Sequence, residues 1–286
     1  MKLALFGWNI GPVATPETIA RIAPLAESAG YESLWVGEHV VLPDPQVAPS
    51  PLPPEIPMLD PTVALTFAAA VTKRVKLGTG IIILPQRNPL VLAKELASLD
   101  VLSKGRLVFG VGIGYLKPEF DAIGAPFDHK GARTEDFLGA MKAIWTGEKA
   151  SYDGRFVKFA GVRAMPRPVQ QPHPEIVFGG HTPEAFDRAV RFANGWYGFA
   201  QDLDATKHCL EGLRAACAKH GRDFSKLEIS ITPGGGGHRT LPRVDRDTTK
   251  RFEDLGVHRL IVFPATARDE KSLVEVIEGM AKDVIR

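Results

Sequence analysis

Apolar residues in the first third of the chain follow two different periods. Val75–Leu84 is an almost unbroken apolar run, which is typical of a strand that is buried on both faces. Pro89–Leu102 instead repeats its leucines at three- and four-residue intervals, as a helix with one apolar face does. Leu107–Val111 is again a short apolar run. Strand, helix and strand in succession predict a βαβ unit, whose two strands run parallel.

The same alternation continues along the rest of the chain. The predicted strands are Leu3–Trp8, Ser33–Val36, Val75–Leu84, Leu107–Val111, Glu175–Phe178, Trp196–Ala200, Leu227–Thr232 and His258–Phe263. The predicted helices are Pro16–Ala29, Thr62–Thr72, Pro89–Leu102, Leu116–Phe120, Arg133–Trp145, Thr182–Phe192, Leu203–His220, Thr248–Leu255 and Arg268–Ile285. Strands that alternate with helices in this way predict an α/β fold closed into a (β/α)8 TIM barrel. An open, doubly wound parallel sheet is the alternative.

Two segments do not fit the repeat. Pro43–Pro61 is rich in proline, which excludes a helix or a central strand, and a loop of this length is typical of a lid or a binding loop. Tyr152–Val162 predicts a hairpin with its turn at Asp153–Gly154. We therefore expect one domain over residues 1–286, with insertions at about 40–60 and 150–174.

Composition narrows the class of protein. The 286 residues carry a net charge of +2 with both signs mixed, which gives no indication of a nucleic-acid surface. No segment reaches the ~20 apolar residues of a membrane span. Cys209 and Cys217 lie in one predicted helix, ~12 Å apart along its axis at the rise per residue of an α-helix, which is too far for a disulfide. These features favour a soluble, cytoplasmic protein.

In a (β/α)8 barrel the active site lies at the carboxyl ends of the strands. Glycine, histidine and asparagine are more frequent at these ends than barrel packing requires. The candidate functional residues there are Asn9, His39, Gly80, Ile81, Gly112, Tyr115, Gly179, Gly180, His181 and Thr182.

The most distinctive strand end is Gly179–Thr182, which precedes Pro183 in the first turn of a predicted helix. Two glycines let backbone amides approach an anion closely, and the helix dipole favours negative charge there. The motif indicates a phosphate cradle, and a tight strand–helix turn is the alternative. The glycine run at 234–237 is interpreted as a mobile loop with little functional weight.

Single residues add weaker signals. His39 follows the second strand and can contact a cofactor ring, move a proton or make a structural hydrogen bond. Gly80 interrupts an apolar strand, which favours a bulge or the close approach of a flat ligand, whereas Gly112 makes room near the mouth. The histidines lack the spacing of metal ligands, and the chain has no GxSxG motif, so a metal site and a nucleophilic hydrolase are both disfavoured.

Longer segments carry a resemblance to a known family. They are residues 14–43 (ATPETIARIAPLAESAGYESLWVGEHVVLP), 59–65 (LDPTVAL), 76–120, 131–147 (GARTEDFLGAMKAIWTG) and 166–196. On these segments the chain resembles the luciferase-like monooxygenase superfamily, in its deazaflavin (coenzyme F420)-dependent oxidoreductase branch. The resemblance implies a (β/α)8 barrel with the cofactor at the carboxyl ends of the strands.

The resemblance also implies an activity. We expect hydride transfer between coenzyme F420 and a small organic substrate, in a homodimer. The alternatives are an FMN-dependent monooxygenase that uses reduced flavin and oxygen, and a protein that binds a flavin or deazaflavin without turnover. Gly80–Ile81 matches the position of the family's non-prolyl cis peptide bond under the ring, Gly179–Thr182 its phosphate-binding turn, and His39 its cofactor-side histidine. Asn9 and Gly112 complete the expected cofactor contacts.

The chain also departs from its sugar-phosphate dehydrogenase relatives. Tyr115 stands where they have an acidic glutamate, and Val40–Pro43 replaces their pocket tryptophan. Oxidation of a sugar phosphate is therefore not expected. The residue that moves the proton stays open among His39, Tyr115 and Glu119. Arg87 is a candidate cation for the charged tail of F420.

Overall fold

A computed structural model describes residues 1–235 and 239–285. Its strands are β1 Lys2–Phe6, β2 Ser33–Val36, β3 Lys76–Thr79, β4 Ile82–Ile83, β5 Leu107–Gly112, β6 Ala150–Asp153, β7 Lys158–Val162, β8 Glu175–Gly179, β9 Gly195–Gln201, β10 Glu228–Pro233 and β11 Arg259–Val262. Its α-helices are α1 Pro16–Ala29, α2 Pro61–Val71, α3 Pro89–Leu102, α4 Lys117–Ala122, α5 Lys130–Thr146, α6 Pro183–Phe192, α7 Leu203–His220, α8 Arg246–Asp254 and α9 Glu270–Met280. The last continues as a π-helical turn over Ala281–Ile285.

The parallel strands close on themselves. Their order is β3–β2–β1–β11–β10–β9–β8–β5–β4, and β5 also pairs with β3, placing Leu77 opposite Leu107 and Gly78 opposite Val108. Because β3 and β4 occupy one position in the sheet, the closed barrel has eight strand positions, each followed by at least one helix. The predicted (β/α)8 barrel is confirmed, and the doubly wound alternative is wrong. The one-domain organisation with two insertions stays a prediction.

One predicted strand is divided in two. The apolar run Val75–Leu84 forms β3 and β4, with Gly80 and Ile81 between them joined by a cis peptide bond. The chain then turns into a 3-10 helix at Leu84–Gln86. Apolar spacing does not reveal this break, because apolar residues continue on both sides of it, from Leu77 to Ile82 and Ile83. Gly80 was the signal, and the expected cis bond is present.

The hairpin is present but has a longer turn than predicted. β6 and β7 are antiparallel, with Asp153 opposite Lys158, so residues 154–157 form a four-residue loop in place of a two-residue turn at Asp153–Gly154. Asp136 on α5 accepts hydrogen bonds from the backbone N–H groups of Phe156 at 2.6 Å and Val157 at 3.1 Å. This tertiary contact, which lies outside the hairpin's own sequence, sets the loop length.

Helix ends follow their capping residues. The Thr15 side chain accepts from Thr18 N at the start of α1, and Gly30 ends that helix with a φ of +99°. The predicted bounds of α1, α3 and α7 are confirmed. The last helix begins two residues later than predicted, because Asp269 and Ser272 form a capping box that fixes its start at Glu270. No helix in residues 1–235 or 239–285 is long and apolar enough to cross a membrane.

The core has two layers because both faces of the barrel strands are buried. Most apolar side chains fill the space between the strands and the surrounding helices. A smaller cluster fills the inside of the barrel, and it consists of Ala4, Phe6, Trp35, Val108, Val177, Tyr197 and Ile261. The barrel interior is thus packed with side chains in the usual way.

Below that inner cluster, Arg259 closes the barrel at the amino ends of the strands. It is fully buried and lies 2.8 Å from Glu32 and 2.7 Å from Glu228, with its guanidinium 5.5 Å from the ring centre of Trp35. Burial alone would raise the pKa of Glu32, but the hydrogen bonds and charge of Arg259 outweigh it and lower that pKa. The pKa of Glu228 is lowered in the same way, chiefly by the charge of Arg259 against the effect of burial.

Replacing Gly110 with alanine is expected to lower the free energy of unfolding by about 1–3 kcal/mol, the usual cost of overpacking. A Cβ atom there would lie 1.8 Å from the carbonyl oxygen of Thr79, so β3 and β5 would have to separate. Urea denaturation measures the change. Gly235→Ala is the control, because its Cβ would first meet the flexible Leu241 side chain at 3.3 Å. Equal stability of the two variants would contradict the prediction.

Candidate active site

Three predicted catalytic residues come together at the mouth of the barrel. His39 lies just beyond β2, whereas Tyr115 and Glu119 lie in the connection after β5 and in α4. Since β2 and β5 both pair with β3, the segments that follow them meet above the end of β3. The topology therefore brings together residues that are 76 and 80 positions apart in the chain.

The three side chains form a hydrogen-bonded series. His39 Nδ1 lies 3.1 Å from Glu119 Oε2, and His39 Nε2 lies 3.4 Å from the hydroxyl oxygen of Tyr115. The rings of His39 and Tyr115 meet edge to face at 84°. Glu119 is fully buried, and its Oε1 accepts a hydrogen bond of 2.6 Å from the backbone N–H of Val40. Glu119 thus holds both the side chain of His39 and the backbone that follows it.

Tyr115 is the exposed end of this series, with 48% of its surface open to solvent. Burial of its inner part raises the pKa of the phenol, and the negative charge of Glu119 raises it further. The phenol is therefore protonated at neutral pH and can donate a hydrogen bond as well as accept one.

A second buried carboxylate lies beside His39 and was not assigned from the sequence. Glu38 accepts hydrogen bonds from the backbone N–H of Ile83 and from Arg87, whose Nε lies 2.7 Å from Glu38 Oε1. Arg87 also binds Asp60 at 2.6 Å, and Asp60 caps α2. Arg87 is thus paired with two carboxylates within the protein, and its contact with a cofactor tail stays a prediction.

Asn9 also has a different role from the predicted cofactor contact. It is fully buried, and its Nδ2 donates to the carbonyl oxygens of Gly37 and Leu59, both at 2.9 Å. Its Oδ1 accepts from Gly37 N at 3.2 Å. Asn9 thus ties the end of β1 to the end of β2 and to the proline-rich segment, and it offers no surface to a ligand.

Gly80 and Ile81 form a ledge inside the mouth. A Cβ atom on Gly112 would lie 2.2 Å from Ile81 Cδ1, and one on Gly179 would lie 3.3 Å from Ile81 Cγ2. These two glycines therefore make room for the half-buried Ile81 side chain. Gly112 was expected to make room near the mouth, and it does so for the side chain of Ile81. A direct contact between Gly112 and a cofactor stays a prediction.

The turn Gly179–Thr182 leads into an exposed first turn of α6. Gly180 has a φ of +117°, and its carbonyl oxygen accepts a 2.8 Å hydrogen bond from Trp196 Nε1. Thr182 caps α6 by accepting from Ala185 N at 3.3 Å. His181 Nε2 lies 3.3 Å from Gln201 Nε2. The strand–turn–helix arrangement predicted for Gly179–Thr182 is thus present, and anion binding there stays a prediction.

The glycine run at 234–237 is described only in part, because residues 236 and 237 lie outside the described residues.

A family model described as luciferase-like monooxygenase matches residues 4–234. The chain belongs to this family. It is 38% identical over 275 residues to an uncharacterised protein of Mycobacterium tuberculosis, covering 92% of this chain and 93% of that protein. It is 36% identical over 137 residues to an FMNH2-dependent dimethylsulfone monooxygenase of Pseudomonas putida, covering 47% of this chain and 38% of that enzyme.

A solved structure shares the fold of this luciferase-like protein. The coenzyme F420-dependent tetrahydromethanopterin reductase from Methanopyrus kandleri superposes with a TM-score of 0.79 and 18% identity, over 99% of this chain and 98% of the reductase. The luciferase-like family consists of oxidoreductases and monooxygenases, and the relatives whose names state a cofactor use either F420 or a flavin. The protein is therefore an enzyme of this oxidoreductase class.

Sequence patterns missed one further part of the luciferase-like mouth. Ala200 has a φ of +54°, and the pairing of β9 with β10 shifts register between Ile231 and Pro233. A bulge of this kind redirects side chains at a strand end. Here Phe199 stands 36% exposed with its ring 5.7 Å from that of Phe6. Strand propensity carries no signal for such a bulge at an alanine.

Proposed function

We propose that this protein transfers a hydride between coenzyme F420 and a small organic substrate. The observation that carries the proposal is the His39 imidazole held between a buried carboxylate and an exposed phenol at the barrel mouth. Hydride transfer to or from a carbon that bears oxygen also requires one proton to move at that oxygen. A histidine with both ring nitrogens engaged is suited to that task.

Apolar side chains and a glycine turn at the mouth support a flat ring with a phosphate tail as the ligand. Phe6, Phe199, Phe263 and Ile81 provide an apolar floor on which such a ring can pack. Gly179–Thr182 and the first turn of α6 would hold the phosphate with backbone N–H groups. When bound, the deazaflavin supplies the carbon that accepts or donates the hydride, and the protein supplies orientation, exclusion of water and the proton.

A titration separates the two cofactors. The protein without cofactor is titrated with F420 and with FMN while the fluorescence of each is followed. We expect a dissociation constant of about 1 μM or lower for F420 and weaker binding of FMN. Tight binding of FMN alone would overturn the choice of F420.

An FMN-dependent monooxygenase is the second candidate, because about half of the chain is 36% identical to an FMNH2-dependent dimethylsulfone monooxygenase. Stopped-flow oxidation of the reduced cofactor distinguishes the activities. Acceleration by a carbonyl substrate without oxygen supports hydride transfer, whereas a requirement for oxygen supports the monooxygenase. If no enone or aldehyde accelerates oxidation of either reduced cofactor, and no alcohol accelerates reduction of oxidised F420, the result favours the alternative of cofactor binding without turnover.

Replacing Gly180 with valine should weaken cofactor binding about tenfold or more, which corresponds to ~1.4 kcal/mol. The left-handed φ of +117° disfavours a side chain, and the new Cβ would lie 2.8 Å from Ala185 Cβ, so the amides of the turn would move. Gly221→Val is the matched control. Gly221 also has a positive φ, +63°, but it caps the far end of α7. Equal affinities of the two variants would remove the turn from the cofactor site.

The proline-rich segment Pro43–Pro61 is proposed to act as a lid. Its flanks are fixed, since His39 N lies 3.1 Å from Met58 Sδ and Leu59 N donates to Asn9 O at 3.0 Å, whereas much of its middle is exposed. Limited proteolysis should cut it more slowly once cofactor is bound. Equal cleavage with and without cofactor would argue for a static loop.

Two further proposals rest on the resemblance and on the cysteines. We propose a homodimer, which sedimentation equilibrium tests. We also propose a cytoplasmic location, with which the free, buried thiols of Cys209 and Cys217 agree, and cell fractionation tests it.

A further inference from the structure

The buried contact between Glu119 and His39 determines which nitrogen of the His39 ring carries hydrogen. Glu119 has no exposed surface, its Oε1 accepts from Val40 N, and its Oε2 faces His39 Nδ1 at 3.1 Å. A carboxylate only accepts hydrogen bonds, so Nδ1 must be the donor. In the neutral imidazole, His39 Nε2 then carries no hydrogen and accepts a hydrogen bond from the Tyr115 hydroxyl.

The exposure of the three side chains indicates which of them can reach a substrate. The side chain of His39 is only 10% exposed and that of Glu119 is 0% exposed, whereas Tyr115 is 48% exposed. Tyr115 is therefore the member of the series most accessible to a substrate, and its hydroxyl faces His39 Nε2. Its 3.4 Å distance from Nε2 is long, as catalytic hydrogen bonds often are before substrate binds.

We propose that the Tyr115 hydroxyl exchanges the proton with the substrate oxygen, and that Glu119 is a positioning residue that fixes the His39 tautomer for this exchange. This inference rests on the proposed function. In alcohol oxidation, the substrate O–H bond breaks and its proton joins Tyr115 Oη, while the Tyr115 proton moves to His39 Nε2. The carbon loses a hydride, with its two electrons, to the oxidised deazaflavin, and a C=O bond forms. Carbonyl reduction runs the same steps in reverse.

The surroundings of Tyr115 indicate the substrate class. The residues that follow His39, namely Val40 and Val41, expose 48% and 41% of their surface. Glu38 and Arg87, which carry charge nearby, are paired with each other. Lys117, two residues after Tyr115, is likewise paired, with Asp121 at 2.6 Å. Paired charges and exposed valines favour an alcohol or carbonyl compound with an uncharged, apolar body as the substrate.

The first test reads the tautomer in the protein without cofactor. Long-range ¹H–¹⁵N NMR spectra of protein with labelled histidine, assigned with His39→Asn, should show hydrogen on Nδ1 of His39 and none on Nε2. In Glu119→Gln the carboxamide can donate to Nδ1, so the hydrogen should move to Nε2. Hydrogen on Nε2 of the wild type, or an unchanged tautomer in Glu119→Gln, would overturn the positioning role.

The second test measures turnover with an alcohol or carbonyl that the wild type accepts. Tyr115→Phe should lower kcat by about 10²–10⁴-fold with an unchanged dissociation constant for the cofactor, and Glu119→Gln should also lower kcat, because a wrong tautomer disables the histidine. Tyr152→Phe is the control, since its hydroxyl contacts Asp136 beside the hairpin. Turnover of Tyr115→Phe at the wild-type rate would overturn this inference and leave the proposed function standing, whereas a wild type without turnover would overturn both.

Discussion

Replacing His39 with asparagine is expected to lower turnover by about 10²–10⁴-fold, the usual contribution of a positioned acid–base group. Asparagine Nδ2 occupies nearly the place of histidine Nδ1 and can donate to Glu119 as Nδ1 does. The variant has no counterpart of Nε2, so it keeps the buried contact and loses the nitrogen that faces Tyr115. Steady-state rates measure the loss of turnover, and the melting temperature of the same sample shows whether the buried contact with Glu119 is kept.

His39→Ala is the companion variant. It should lose turnover to the same extent and should also lower stability, because the buried Glu119 carboxylate loses one hydrogen-bonding partner. His208→Asn, at an exposed position on α7, should change neither property. If His39→Asn keeps wild-type turnover, His39 does not take part in proton transfer.

Replacing Arg259 with methionine should lower the free energy of unfolding by about 3–5 kcal/mol, because one partner of a buried ion pair is removed. Methionine has a similar length but no charge, so Glu32 and Glu228 are left facing each other without their shared cation. The hydrogen bond to Ser230, 2.9 Å in the native protein, is also lost. Urea denaturation at pH 7 measures the change. Arg21→Met, at a side chain that is 67% exposed, should cost at most about 1 kcal/mol.

The same variant should respond differently to acid. In the wild type the pKa of Glu32 and that of Glu228 are lowered below the ordinary 4.5. Their contribution to stability is therefore complete above about pH 4.5 and is lost as pH falls through the lower folded-state pKa values. Without Arg259, Lys76 and Lys2 remain near the pair, but the largest effect that lowers both pKa values is lost, so both rise toward their ordinary range. Mild acid should therefore harm Arg259→Met less than the wild type. Parallel loss of stability in the two proteins would contradict this account.

The fold was predictable because its rules act over short distances. The change of apolar period at Pro89–Leu102 and the caps of α1 depend on residues within a few positions of one another. The bulge at Ala200 and the length of the loop at 154–157 were not predictable. The first depends on the pairing of β9 with β10, and the second on Asp136 in another element.

The candidate site was also predictable only in part: the positions of its residues could be predicted from the sequence, but their contacts could not. A strand end predicts where a functional residue lies, so His39, Tyr115 and Glu119 were identified as candidates from their positions. What each side chain contacts depends on partners that are distant in sequence. Asn9 and Arg87 have the chemistry of ligand-binding residues, but backbone groups 28 and 50 positions away occupy Asn9, and carboxylates 49 and 27 positions away occupy Arg87.

The closed floor of the barrel has a kinetic consequence. In the part of the chain that the structure describes, residues 1–235 and 239–285, the fully buried side chains of Arg259 and Trp35 fill the barrel toward the amino ends of the strands. Cofactor and substrate must therefore enter and leave by one opening. A ring seated on the Gly80–Ile81 ledge lies deeper than a molecule that reaches Tyr115, which is exposed at the rim. Binding should then be ordered, with the cofactor first and the substrate second, and the product should depart before the cofactor can be exchanged.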